Sequence, residues 1–181
     1  MPNFIRSYVR IVDAVNYRIG RMTMYVIFVM VAVLFYSSIT KAFFDPALWT
    51  FEFAQFLMVA YFMLGGPYSI QLGGHVRMDL LYGSWQPKTQ NRWDAVTSII
   101  LIGYLMMMLY GSVDSLIYAV EYSERSYSIW RPYMWPIKFI MVLGIALMLL
   151  QAIAQFFKDI AAAIGKPIEG AIPDNLSEKG I

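Results

Sequence analysis

The 181-residue chain contains no cysteine and a single histidine, His75. The first absence removes disulfides, thiolate nucleophiles, thiol-ligated zinc and iron–sulfur clusters, and leaves the redox compartment open. The second removes paired axial haem ligands, so a four-helix membrane redox enzyme would lack its cofactor site. Charge is equally scarce. Asp, Glu, Lys and Arg make up 14% of the residues, and a net charge of +2 scattered along the chain is too small to hold a nucleic acid. No enzyme chemistry, cofactor or metal is expected from this composition.

What is present is apolar. Hydrophobic residues make up 59% of the chain and the mean hydropathy is +0.55, the composition of a membrane protein. Four uncharged runs, Met22–Thr40, Phe53–Gly74, Ala95–Val113 and Phe139–Phe157, are each long enough to cross about 30 Å of hydrocarbon at 1.5 Å per residue. The predicted fold is an all-α integral membrane protein with four transmembrane helices, spanning about 22–40, 53–74, 95–125 and 137–157. Residues 1–21 precede this membrane domain (22–157), and 158–181 form a tail whose apolar periodicity is lost at Gly165–Pro167.

Met1–Arg21 carries four arginines in a helical pattern before an apolar run of full spanning length, so no cleavable signal peptide is expected. Ile5, Val9, Val12, Val15 and Ile19 recur at helical spacing, while Arg6, Arg10, Asp13 and Arg18 take other faces. This predicts an amphipathic helix lying in the lipid interface, with a plain extension of helix 1 as the alternative. Helix 3 continues without Gly or Pro between Ser112 and Arg131, so its pattern carries on to Arg125 before Pro132 and Pro136 turn the chain. In a four-span arrangement ten of the fourteen Lys and Arg residues fall on the side of the two termini and the helix 2–3 connection, which places that side in the cytoplasm. Trp49, Trp130, Tyr133 and Trp135 mark the outer boundary, and Trp85 and Trp93 the inner one.

A carrier needs polar groups or broken helices at mid-membrane. Here the polar residues within or near the spans are Ser37, Ser38, Gln55, Ser98 and Gln151, each better suited to a bond between helices than to a substrate. Gly65, Ser69 and Gly73 recur every four residues around Pro67 and predict close helix packing or a subunit interface. A substrate site at the proline break is the weaker reading. Gly74, His75, Arg77 and Asp79 form a connection motif at the cytoplasmic end of helix 2. A proton relay through His75 lacks a second titratable group in any span. Tyr104, Met107, Gly111, Asp114, Tyr118, Glu121 and Arg125 share one helix face that turns polar as it leaves the bilayer. It reads equally as a solvated helix end with a Glu121–Arg125 pair or as a periplasmic docking face that also takes in Arg131.

The entry to helix 2, Trp49-x-x-Glu52, the segment Gly74-His75-Val76-Arg77-Met78-Asp79-Leu80-Leu81, and Arg125-Ser126-Tyr127-Ser128 leading to Trp135-Pro136 follow one another as in the small four-span membrane subunit of tripartite ATP-independent periplasmic (TRAP) transporters. The chain resembles that DctQ-type family over Trp49–Phe157. It departs from the family's pattern at Glu52, which stands alone where adjacent acidic residues are common. The resemblance implies a bacterial or archaeal inner-membrane protein surrounded by lipid. Its implied partners are a large permease subunit and a periplasmic substrate-binding protein, in sodium-driven uptake of an organic acid. The family's large subunit carries substrate and sodium as an elevator, and the small one enlarges its fixed scaffold. Trp130–Leu150 is most similar to members associated with 2-oxo or hydroxy carboxylates. The competing reading is a stand-alone four-helix exporter, but such a protein needs a membrane-embedded acid, and Met22–Thr40 has none.

Overall fold

The computed structural model describes residues 3–45, 47–72 and 87–163. It holds four helices: α1 (Asn3–Phe43), α2 (Trp49–Gln71), α3 (Pro87–Glu121) and α4 (Trp135–Ala163). Each contains a stretch long and apolar enough to cross a membrane. Among the described residues there is no strand, only a lone bridge between Arg125 and Tyr133. α2 packs on α1 and α4, and α3 packs on the far side of α4. α1 also reaches α4 directly.

The amphipathic N-terminal segment is helical and runs into the first span without a break, giving one rod about 60 Å long. The buried face takes in Val9 and Val12 of the expected apolar series, together with polar residues that the spacing did not place there. Val9, Val12, Asp13, Asn16 and Thr23 are buried, whereas Val15 is exposed. Arg6, Arg10, Arg18 and Arg21 all stay on the exposed side. The physical reason lies in α4, which presents polar partners to this face.

α2 begins at Trp49 with Glu52 in its first turn, where a carboxylate suits the positive end of the helix dipole. The Thr50 hydroxyl donates 2.8 Å to Ser37 Oγ and so ties this first turn to α1. Pro67 is buried inside α2, which continues to Gln71.

α3 stops at Glu121 rather than continuing to Arg125, and the stop uses no glycine. Ser123 takes a left-handed conformation (φ 47°). Its amide donates to the Val120 carbonyl at 3.3 Å, and the Glu124 amide donates to Ala119 at 3.0 Å. These are the two bonds of a Schellman motif, which normally advertises itself in sequence by a glycine.

An apolar cluster joins α2, α3 and α4. Leu105, Ile145 and Ala152 form its buried core, with Met63, Leu101 and Met148 packed around them. Two close approaches depend on missing side chains. A Cβ on Gly144 would lie 2.7 Å from the Met63 carbonyl oxygen, and one on Gly20 would lie 2.4 Å from Tyr68 Cβ. α4 meets α2 through the first gap and α1 meets α2 through the second, with backbones too close for any larger residue.

Candidate functional site

At the end shared by the α1 N-terminus, the α2 C-terminus and the second half of α4, polar side chains meet in a buried knot. Asp13 is fully buried, and its Oδ2 lies 2.7 Å from the Lys158 ammonium. Its Oδ1 accepts from Gln151 Nε2 at 2.9 Å. Gln151 Oε1 in turn accepts from Asn16 Nδ2 at 2.6 Å. Gln71 Nε2 donates to the Asp13 backbone carbonyl at 3.1 Å, which brings α2 into the same cluster. A charge taken out of water survives only when paired and hydrogen-bonded, and Asp13 has both kinds of partner. The sequence reading set Asp13 with the arginines, on a face other than that of Val9 and Val12. The signal that could have found it is the i, i+3 spacing of Asp13 and Asn16 on the face of Val9 and Val12, matched by Gln151 and Lys158 seven residues apart on α4.

The other end is closed by a folded loop. Between α3 and α4 the Ser126 amide donates to Pro132 at 2.9 Å and the Met134 amide to Glu124 at 2.9 Å. The Arg125 guanidinium lies 4.3 Å from the centre of the Tyr133 ring and also donates to the Tyr133 hydroxyl. Arg131 has a left-handed backbone (φ 48°) and donates its amide to Ser128 Oγ at 3.2 Å. Lys138 pairs with Glu124 and reaches the Ser115 carbonyl at 3.4 Å. Arg125 is therefore spent on Tyr133, and the Glu121–Arg125 helix pair does not form.

Of the other expected face residues, Asp114, Tyr118, Glu121 and Arg131 are exposed, and Tyr118 stacks on Tyr122 with centroids 4.6 Å apart. Trp49 packs between Tyr36 and Phe53 at the α2 entry. Glu52 is buried there, and its Oε2 has no hydrogen-bond partner among the described residues.

The small-residue stripe is divided. Gly65 faces α1, with Thr23 Cγ2 the nearest atom at 4.0 Å from a built Cβ, while Ser69 is exposed. The tight internal contacts fall instead on Gly20 and Gly144, which the sequence reading did not single out. Gly73, Gly74, His75, Arg77 and Asp79 lie outside the described residues. Of the polar residues expected to bond between helices, Ser37 and Gln151 do so; Ser38 bonds back to Leu34 in its own helix and Gln55 is exposed.

The buried polar side chains thus join helices in two places, around Asp13 and Gln151 and between Ser37 and Thr50, while the cluster around Leu105 and Ile145 is apolar. Among the described residues no three His, Cys, Asp or Glu side chains lie close enough to hold a metal ion. Comparison with known families matches residues 30–162 to the DctQ component of tripartite ATP-independent periplasmic transporters. The chain belongs to that family. Neither the curated proteins nor the solved structures contain a match. As a DctQ component the chain is a subunit of a multi-pass membrane transporter and not an enzyme. The matched segment begins inside α1 and ends at the penultimate residue of α4, so it takes in Gln151 and Lys158 but leaves out Asp13 and Asn16.

Proposed function

We propose that this DctQ component is the fixed, non-transporting subunit of its transporter. Its partners in this reading are a large permease subunit that carries the substrate and a periplasmic binding protein that delivers it. The system takes up an organic acid of the 2-oxo or hydroxy carboxylate class with sodium. The observation that carries the reading is the apolar mid-depth core of Leu105, Ile145, Met63 and Met148. An ion or carboxylate stripped of water would find no coordinating group there.

Both termini and the Gly74–Asp79 connection then lie in the cytoplasm, following the excess of Lys and Arg on that side. The surface around Tyr118, Glu121 and Arg131 faces the periplasm, where it meets the binding protein. Exposed charges contribute little to folding but set encounter rate and registry across an interface.

Proteoliposomes test the core of the proposal. With a sodium gradient, the chain alone is expected to give no uptake of pyruvate or lactate above empty vesicles. Co-reconstitution with the large subunit and the binding protein is expected to give uptake. Transport by the isolated chain would overturn the scaffold role and favour a stand-alone carrier.

A further inference from the structure

The first half of α1 presents three faces. Val9, Val12, Asp13 and Asn16 are turned into the bundle. Phe4, Ile11, Val15 and Met22, at spacings of seven and four, form an exposed apolar stripe. Between the two lie Arg6, Arg10, Arg18 and Arg21, all exposed, and none has a hydrogen bond or ion pair among the described residues. Packing of Val9 and Val12 on Ala154 of α4 fixes the rotation of the helix, so the other two faces cannot turn inward.

Left to itself, the arginine face is electrostatically unfavourable. Arg6 and Arg10 are four residues apart and Arg18 and Arg21 three, so each pair sets like charges on neighbouring turns. The first turn of α1 has no acidic residue, and Arg6 there opposes the positive end of the helix dipole. Asp13, the only acidic residue before Asp45, is turned away to Lys158. An external anion would relieve all of this. The apolar stripe beside the arginines says which anion, because a free phosphate or a nucleic acid offers nothing to Phe4, Ile11 and Val15. The length of the rod agrees. Upright, α1 would hold Phe4 about 27 Å from Met22, well beyond the headgroup layer. Inclined, the stripe follows the apolar boundary and the arginines beside it stand at phosphate depth.

We propose that the exposed α1 face around Arg10, Ala14 and Arg18 binds the headgroup of an anionic phospholipid, with the lipid chains beside Ile11, Val15 and Met22. Arg10 and Arg18 flank Ala14, whose small exposed side chain leaves the face between them open to a headgroup. A guanidinium grips phosphate oxygens through paired N–H donors. A second copy of this chain would set arginine against arginine. The inner leaflet is the one addressed in the orientation proposed above, but the binding itself needs neither that orientation nor a transport partner.

The full chain, purified in a neutral detergent, tests this through its thermal midpoint. Phosphatidylglycerol added to the micelles is expected to raise the midpoint, whereas phosphatidylcholine or inorganic phosphate at the same concentration is not. Arg10→Gln and Arg18→Gln should each raise the half-saturating phosphatidylglycerol about fivefold and the double variant roughly thirtyfold, the attraction to an anionic surface lost with one and with two arginines. Without the lipid, all three variants should melt no lower than the parent, because they remove repulsion and no internal contact. Arg125→Gln, at the far end of the bundle, should respond to the lipid as the parent does. An equal rise with phosphatidylcholine would mean that the stripe takes lipid tails while the arginines stay in water, and an equal rise with inorganic phosphate would mean a free-anion site. Either result overturns the assignment. So would an undiminished phosphatidylglycerol response in the double variant, or a double variant that melts lower without lipid, which would make the arginines part of the fold. No arm depends on transport, so the scaffold role can fail while this lipid response stands, and the reverse.

Discussion

Each end of the bundle is held by a lysine on α4 paired to a carboxylate, and the two pairs live in different media. Asp13 has no exposed side-chain surface and Lys158 has 16%, whereas Glu124 keeps 32% and Lys138 17%. The Asp13 carboxylate accepts from the Gln151 amide on α4, while Gln71 of α2 donates to the Asp13 backbone carbonyl, so three helices meet there. The Glu124 carboxylate sits in a loop already fixed by backbone hydrogen bonds and a left-handed serine. The same ion pair is therefore structural at one end and almost ornamental at the other. What decides between them is how much it costs to leave the charge alone.

The largest expected effect breaks the buried pair. Lys158→Met leaves Asp13 charged and unpaired, and a loss of about 3–5 kcal/mol is expected in thermal or denaturant unfolding of the detergent-solubilised chain. Combining it with Asp13→Leu should recover much of that loss, since replacing both charges by apolar groups avoids the uncompensated carboxylate. A double variant no better than Lys158→Met would show that the Asp13 hydrogen bonds matter more than its charge. Next comes Gln151→Leu, which deprives Asn16 and Asp13 of one bond each while Lys158 remains. About 2 kcal/mol is expected from the unsatisfied buried groups. At the other end Lys138→Met should cost no more than about 1 kcal/mol, with unfolding measured in the same detergent. If its cost matches that of Lys158→Met, exposure is not what separates the two ends. The smallest expected change is a gain. Ser123→Gly relieves a side chain held at positive φ and should raise stability by roughly 0.5 kcal/mol, with the loop otherwise unaltered.

The architecture was legible because hydrophobic length is a one-dimensional signal. The uncharged runs of Met22–Thr40, Phe53–Gly74, Ala95–Val113 and Phe139–Phe157 each fall largely or wholly within one of the four helices. The tertiary facts were less legible. Asp13 and Gln151 are 138 residues apart, so no local pattern announces their bond, and a lone aspartate among arginines looks like a solvated residue. The end of α3 was placed too late because serine does the work usually given to glycine at Ser123. Glycines were visible, but not which way each one faces. Gly144 turned out to admit the α2 backbone while Gly103 and Gly111 look outward, a distinction only packing supplies.

The buried knot also has a consequence for the order in which the protein is made. Asp13 belongs to α1, which leaves the ribosome before the other three described helices, and Lys158 and Gln151 to α4, which leaves after them. Until the final span is synthesised, the aspartate has neither its counter-ion nor its amide donor, and the N-terminal segment has no α4 face to pack on. Closure of the bundle is thus a late event governed by translation rather than by the insertion of α1. A chain interrupted before residue 151 would leave its amphipathic start without the α4 face it packs on, exposed to water or to the lipid surface, where proteolysis can tell an unfinished subunit from a finished one.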